Sequence, residues 1–344
     1  MSAPIPVQSL LRAGAISRRE LLGLGVLAGL AGLVGCGRAS AAPELWATAD
    51  TLPPRWRRAL PAPWQFHPIK DSSEPDPYQA ALRDGAALLA ISDGWLTGLP
   101  LEMLQPMAAA PLEGRLNDQA QAYLNSLGPE LAERVLPVGM SPWVMLFKQG
   151  QEWNSQASKG WQVLLDPDLR GRVVLPSSPR LIMALADRIE SSDALKRLRS
   201  QVLTFDDQQA LRWLLHGEAR VVVLPLQRCM ASLRRDSRLL AVLPRSGAPL
   251  NWTLLVRSAQ IREPLPQAWV TEAWTKPLLG QLLANGWISP LPRAELQLAL
   301  TAVPSAHREL VLPSRDVLSR CWSLPPLLPA EKDALVERWR GSSP

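Results

Sequence analysis

The chain has 344 residues, 47% hydrophobic and 20% charged, which excludes a disordered polymer and leaves room for about two domains with sizeable cores. Its formal charge of +6 falls to about +4 on residues 36–344 once the +2 carried by Arg12, Arg18, Arg19 and Glu20 is set aside, too mild a surplus to argue for a nucleic-acid partner. The 33 prolines are scattered among apolar runs and read as turns and helix starts, and no internal repeat, heptad run or spanning apolar stretch follows the leader.

Residues 17–36, SRRELLGLGVLAGLAGLVGC, hold three export features in register. Ser17-Arg18-Arg19 followed by Leu21-Leu22 matches a twin-arginine export signal, with Arg18 and Arg19 as its cations. The apolar run that follows is too short to span a bilayer and ends in Leu33-Val34-Gly35-Cys36, which resembles a lipobox. Small residues let a peptidase reach the backbone, and the Cys36 thiol is the nucleophile that can carry a diacylglyceryl group. Residues 1–35 are therefore expected to be a signal peptide, Cys36 the lipidated first residue, and 36–43 a tether. Several acyl chains, at ~0.8 kcal/mol per buried methylene, hold a protein on a membrane where one does not. The competing reading is an uncleaved anchor helix.

Beyond the tether, residues 44–49 read as a strand closed by Leu52-Pro53-Pro54, residues 55–60 as an Arg-rich helix, and 64–69 as a second strand. A short helix over 78–84 precedes a buried strand over 86–91 that ends in Ser92-Asp93-Gly94-Trp95. Asp93 stands either as a site residue or as the N-cap of a helix over 96–104. Helices are expected over 119–127 and 130–135, then an extended run over 136–147 with a strand at 143–147 and a loop at 149–159.

Residues 161–186, WQVLLDPDLRGRVVLPSSPRLIMALA, join a turn, a strand and a helix start without a break. Asp166-Pro167-Asp168 is turn chemistry, Arg172–Leu175 is apolar and β-branched, and Ser177-Ser178-Pro179 offers an N-cap hydroxyl with Pro at the first helical position. A helix N-terminus at a strand's end is where open α/β sheets bind ligands, because free N–H groups face the crevice.

The Trp, the Leu-x-x-Pro turn, the Gly and the apolar strand of this stretch resemble the second lobe of the solute-binding proteins of ABC importers, specifically the spermidine/putrescine-binding group. The resemblance continues through most of the chain after the leader. It implies an α/β, two-lobed type II periplasmic-binding-protein fold with two crossover hinge strands and a ligand cleft between the lobes. Lobe 1 would comprise 44–138 and 251–303, lobe 2 would comprise 139–250, and 304–344 would pack on lobe 2. In that family the first strand ends at ligand-contacting aromatics; here those places hold Thr48, Asp50 and Thr51. Ser92 and an aromatic, Trp95, match the family at the strand end that also carries Asp93.

Further along, helices are expected over 180–190 and 192–200, and a third capped by Asp206-Asp207 and closed by His216-Gly217. Strands follow over 219–226 and 239–243. Asn251–Val256 resembles the family's return crossover, and a helix pair over 264–275 and 277–285 stops at Asn285-Gly286 before Trp287-Ile288-Ser289-Pro290, like the family's loop after the same pair. The last helix is expected over 330–339.

No H-E-x-x-H, C-x-x-C, G-x-S-x-G or Walker motif occurs, so no enzyme, cofactor or metal is expected. Tyr78 and Tyr123 are the only tyrosines, which argues against a two-tyrosine iron clamp. Cys229 and Cys321 remain after lipidation and could pair or stay separate. Among 14 tryptophans, Trp213, Trp269 and Trp274 fit helix packing, while Trp95, Trp252 and Trp287 fall at strand ends or crossovers facing the cleft.

The expected ligand residues are Thr48, Asp50, Ser92, Asp93, Trp95, Ser177, Ser178, Arg180, Trp252 and Trp287. Polyamine binders of the family carry an acidic pair after the strand where this chain has Ser177-Ser178-Pro179-Arg180. Hydroxyls, bare N–H groups and a guanidinium suit a carboxylate or phosphate, so a zwitterionic or anionic solute is expected rather than a naked polyamine; against this, Ser178 is simply a cap and Arg180 points to solvent. The function implied is a monomeric, lipid-anchored solute-binding component, outside the cytoplasmic membrane, that delivers a small molecule to an ABC permease and its ATPase. The alternative is a sensor or assembly lipoprotein that keeps the fold without transport.

Overall fold

The computed structural model describes residues 42–69, 76–149 and 151–343. Arg18, Arg19 and Cys36, the expected export and lipidation residues, lie outside them. Strands buried on both faces read as unbroken apolar runs, and the runs LLAIS, VVL and VVVLP become β3 (Leu88–Ser92), β6 (Val173–Leu175) and β8 (Val221–Pro225). The remaining strands are β1 (Glu44–Ala47), β2 (Gln65–Pro68), β4 (Leu104–Gln105), β5 (Val135–Lys148), β7 (Val202–Phe205), β9 (Leu239–Val242) and β10 (Leu250–Ser258).

They form one hydrogen-bonded path, β2-β1-β3-β10-β5-β8-β6-β7, with β4 beside β10 and β9 beside β5. The path is two sheets because β5, at 14 residues, changes partners midway. Its first part, up to Pro142, pairs antiparallel with β10; from Trp143 onward it pairs with β8 and β9. Pro137 and Pro142 lack the N–H that a ladder needs. The β5–β10 register shifts between Thr253 and Leu254, opposite Pro137, and the pairing ends at Pro142. In lobe 1 β1, β2 and β3 run parallel to one another, and in lobe 2 β6, β7 and β8 do.

One buried cluster runs from lobe 1 onto one face of the lobe-2 sheet through Val144, Leu146, Val222 and Leu224, and a second cluster belongs to lobe 2 alone. Lobe 2 buries Met145, Phe147, Trp161, Val173, Leu175 and Ile182 in one cluster, and the fully buried Trp161 satisfies its indole by donating to Gly247 O at 3.0 Å. The helix Pro179–Ala186 starts as its sequence predicts, with Pro at its first turn and the Ser178 hydroxyl accepting from Leu181 N at 3.4 Å. The C-terminal helix Pro329–Gly341 lies on lobe 2, where Arg199 donates to Trp339 O at 2.6 Å and stacks over its ring at 4.0 Å.

Some elements differ from the sequence reading. Val135 opens β5 instead of ending a helix, because the helix before it is only Pro129–Ala132. β7 and the helix Leu226–Leu233 were not expected, and residues 96–104 form short 3₁₀ turns, Asp93–Gly98 and Leu101–Met103. Asp93 caps no helix there. Cys229 and Cys321 are separate free thiols, both pushed up by burial, Cys229 to about 12. Among the described residues no helix is long and apolar enough to cross a membrane.

Gly139 sits where β5 crosses. A Cβ there would stand 2.1 Å from Cε2 of the fully buried Trp287 ring, which has no room to retreat. Gly139→Ala is therefore expected to cost about 1–3 kcal/mol by overpacking, read as a lower urea midpoint with an unchanged slope; an unaltered midpoint would show that the crossing is not close-packed.

Candidate functional site

The C-terminal ends of β1 and β3 in lobe 1 face those of β6 and β8 in lobe 2, and the loops that leave them build the cleft. β1 ends at Ala47, and the chain turns through Thr48, whose Oγ1 lies 2.7 Å from Thr51 Oγ1. This turn carries Asp50 out to the surface and leads into the helix Pro54–Arg58. Opposite, β8 passes without a loop into the helix Leu226–Leu233, so Gln227 and Arg228 stand at its start. Asp50, Arg55, Arg58, Gln227, Arg228 and Trp287 line one cavity of ≈ 560 Å³ between the lobes.

This half of the cleft is cationic. Three guanidiniums, Arg55, Arg58 and Arg228, border it with one carboxylate, Asp50. None of the three is in a salt bridge among the described residues. Arg55 is held by Gln281 Oε1 at 2.6 Å, and Arg228 by the carbonyls of Asp207 and Gln208, the latter at 3.2 Å. Neutral acceptors fix these side chains outside any ion pair, with Arg228 also acting on the Asp206 carboxylate, so charge remains for an anionic guest.

The second half lies nearer the crossing strands and gathers Ser92, Asp93, Arg180 and Trp252. Asp93 is 7% exposed, and its Oδ1 accepts from Trp252 N at 3.3 Å and from the Ser92 hydroxyl at 3.4 Å. Burial pushes the Asp93 carboxyl up to about 7, against the pull of these two donors and of the Arg180 charge across the cleft. Arg180 is itself held down, first by burial, with Asp93 opposing. The Ser92 hydroxyl also donates to Asn251 Oδ1 at 2.9 Å, tying the end of β3 to β10.

The structure divides the expected residues. Asp50 and Trp287 line the cationic half and Ser92, Asp93 and Arg180 meet in the other, whereas Thr48 closes its own turn and Ser178 is a helix cap. Ser177 is tied to Asp207 by both its N–H, at 3.1 Å, and its hydroxyl. Trp95 is 42% exposed and leans on Tyr78, with ring centroids 5.4 Å apart. Trp252 needs correcting as an open ligand face: it is wholly buried, stacked on Tyr123 at 5.1 Å and 17°. Trp287, 1% exposed, packs against Trp56 and offers the cleft only an edge.

Arg55, Arg58, Arg228, Gln227 and Tyr123 were missed as site residues. Arg55 and Arg58 were visible as an Arg-rich helix after a strand, and Gln227-Arg228 follow the VVVLP strand directly, the position where α/β crevices form. Among the described residues no cluster of His, Cys, Asp or Glu could hold a metal.

Compared with known proteins, the chain matches no family by sequence, and no curated protein matches it. Its fold, however, is shared. The spermidine/putrescine ABC transporter substrate-binding protein PotD of Streptococcus pneumoniae superposes with a TM-score of 0.62 at 11% identity, covering 87% of this chain and 98% of that one. The TpPotD lipoprotein of Treponema pallidum gives 0.59 at 12% identity over 88% and 99%. A periplasmic thiamin binding protein gives 0.60 at 13% over 88% and 96%. The chain thus has the two-lobed type II periplasmic-binding-protein fold.

The raised Asp93 pKa fixes the sign of a pH effect. The folded state holds a proton on Asp93 up to about pH 7, whereas an ordinary carboxyl releases it near 3.8. Folding therefore loses stability as pH rises between these values, and the loss is complete above about 7. Asp93→Asn keeps the acceptor for Trp252 N and removes the charge. Its stability relative to wild type should rise across that window and plateau at a gain on the order of 1–4 kcal/mol by pH 8. Denaturant titrations at pH 4, 6 and 8 check this; a constant difference at all three would mean that Asp93 titrates normally.

Proposed function

We propose that this chain is a solute-binding protein of the ABC-importer type, which captures a small anionic or zwitterionic solute outside the cytoplasmic membrane by closing two lobes on it. The observation that carries the reading is the cleft, where Asp50, Arg55 and Arg58 from one lobe face Gln227 and Arg228 from the other, beside two antiparallel crossing strands. Groups from both lobes contact one guest only when the lobes approach, so binding energy and closure are coupled. The solute then passes to a membrane permease driven by a separate ATPase, and the chain itself performs no catalysis.

Charge argues the ligand class. A polyamine needs carboxylates and would meet three guanidiniums and a single Asp50. A carboxylate or phosphate takes charge-assisted bonds from these arginines, worth about 1.5–3 kcal/mol each, while Asp50 and Asp93 remain for an ammonium.

Export and anchoring complete the proposal: a twin-arginine leader through Arg18 and Arg19, and a lipid on Cys36 that keeps the protein at the membrane as a monomer. Metabolic labelling with a radioactive fatty acid should mark the wild type and leave Cys36→Ser unlabelled; equal absence of label from both would sink the anchor.

For the cleft, L-glutamate serves as the acidic zwitterion, with spermidine and putrescine as the opposing class. Titration calorimetry should find glutamate binding that weakens about tenfold or more in Arg58→Ala and in Arg228→Ala, with a smaller scattering radius on binding. Tight spermidine binding that survives or improves in Arg228→Ala would overturn the ligand class. A bound solute that leaves the radius unchanged would overturn closure.

A further inference from the structure

Trp252 and Arg180, two of the residues around Asp93, are already contacted by the chain's own C-terminal segment. Trp322 N donates to Ala248 O at 3.1 Å and Leu250 N donates to Trp322 O at 2.8 Å, so the segment enters alongside the start of β10. Ser323 Oγ then accepts from Trp252 Nε1 at 2.8 Å, and the carbonyl of Pro325 accepts from the Arg180 guanidinium. Trp252 lies on the crossing strand β10 and Arg180 on the lobe-2 helix Pro179–Ala186, so a few residues bridge the crossing and lobe 2.

Beside them is a buried phenol: Tyr123 is 1% exposed and its hydroxyl has no partner among the described residues. It lines a cavity of ≈ 460 Å³ together with Leu250, Cys321, Ser323 and Pro325. The charges of Asp93 and Arg180 both reach the phenol. A buried hydroxyl left without a partner is costly. Among the described residues Asp93 has no cation within salt-bridge distance, and Arg180 donates to a backbone carbonyl with the charges of Asp93 and Glu331 nearby. An acceptor for the guanidinium, a donor for the carboxyl and a partner for the phenol together describe an amino-carboxylate group.

We propose that residues 323–328 are an internal competitor for this subsite, with the Pro325 carbonyl standing in for a solute carboxylate on Arg180, and that the solute must displace them to bind. The proposal rests on solute capture as argued above and adds its regulation. The segment, SLPPLL, is suited to lifting away, because its two prolines lack N–H groups and it forms no helix, while Trp322 before it stays paired beside β10. It is held at one end by the helix Arg315–Arg320, whose Leu318 O accepts from Gln119 Nε2 in lobe 1 at 2.7 Å, and at the other by the helix Pro329–Gly341 on lobe 2. Gly247 sets its entry: at φ 88° it lets Arg320 O pass where a Cβ would stand only 2.1 Å away.

The test uses the full mature chain, L-glutamate and spermidine as probes, and two variants. Ser323→Gly combined with Pro325→Gly loosens the segment in the cleft, and Gly247→Ala displaces its entry from outside. Both should bind glutamate about tenfold more tightly than wild type, since a competent state populated one time in ten raises the apparent Kd by that factor. In the wild type, glutamate should speed hydrogen exchange at residues 323–328. Equal Kd in all three proteins, with exchange of 323–328 unaffected by glutamate, overturns the internal competitor and leaves solute capture standing. No heat from either probe with any of the proteins overturns capture itself, and the competitor with it.

Discussion

The rest of the structure depends on the antiparallel pairing of β5 with β10. These two strands carry the chain between the lobes, so every cleft residue is placed by how they are fixed. Three constraints hold them: the prolines of β5, the shift between Thr253 and Leu254, and the contact of Gly139 with the Trp287 ring. The Trp274 indole adds a fourth, donating to Val138 O at 3.2 Å. A crossing packed this closely fixes the two strands to each other.

Around that crossing the polar groups are sorted by depth. The cationic half, with Asp50 and the arginines, is open to solvent, where water screens charge and attraction acts mainly on encounter. Asp93, Tyr123 and Trp252 lie buried beside β10, where the dielectric is low and each unmatched group is costly. Capture would thus begin at the arginines and gain specificity at the inner groups.

The fold was legible because its strands are long apolar runs and its helix starts are chemically marked. Ser178-Pro179, Asp76-Pro77 and Asn117 each cap as their residue type dictates. β7 was not legible: VLTF is half-exposed at the sheet edge, with Leu203 and Phe205 pointing outward, so it lacks the signature of a buried strand. The site was half legible. Rules about strand ends led to Asp50, Asp93 and Arg180, but no local pattern says that Tyr123, 30 residues further along the chain from Asp93, stacks on Trp252 beside it. Tryptophan facing was misjudged for the same reason: exposure is set by tertiary packing, and Trp252 and Trp287 spend their faces on other rings.

The strength of the tail's hold decides whether it blocks the cleft or tunes it. Trp322, bonded through its backbone to Ala248 and Leu250 and lying under Arg188, stays as the anchor; beyond it the tail makes one neutral hydrogen bond, from Trp252, and one charged one, from Arg180. Such bonds contribute about 0.5–1.5 and 1.5–3 kcal/mol, and an extended, proline-rich strap recovers chain entropy when it leaves. The net hold is then on the order of 1–2 kcal/mol, roughly a tenfold effect on affinity. A solute carboxylate replaces the charged bond with a stronger one to the same guanidinium. Helix Pro329–Gly341, by contrast, keeps its ion pair from Arg338 to Asp187 and its Trp339 contacts throughout. The strap therefore opens as a loop tethered at both ends, by Trp322 beside β10 and by the helix Pro329–Gly341 on lobe 2.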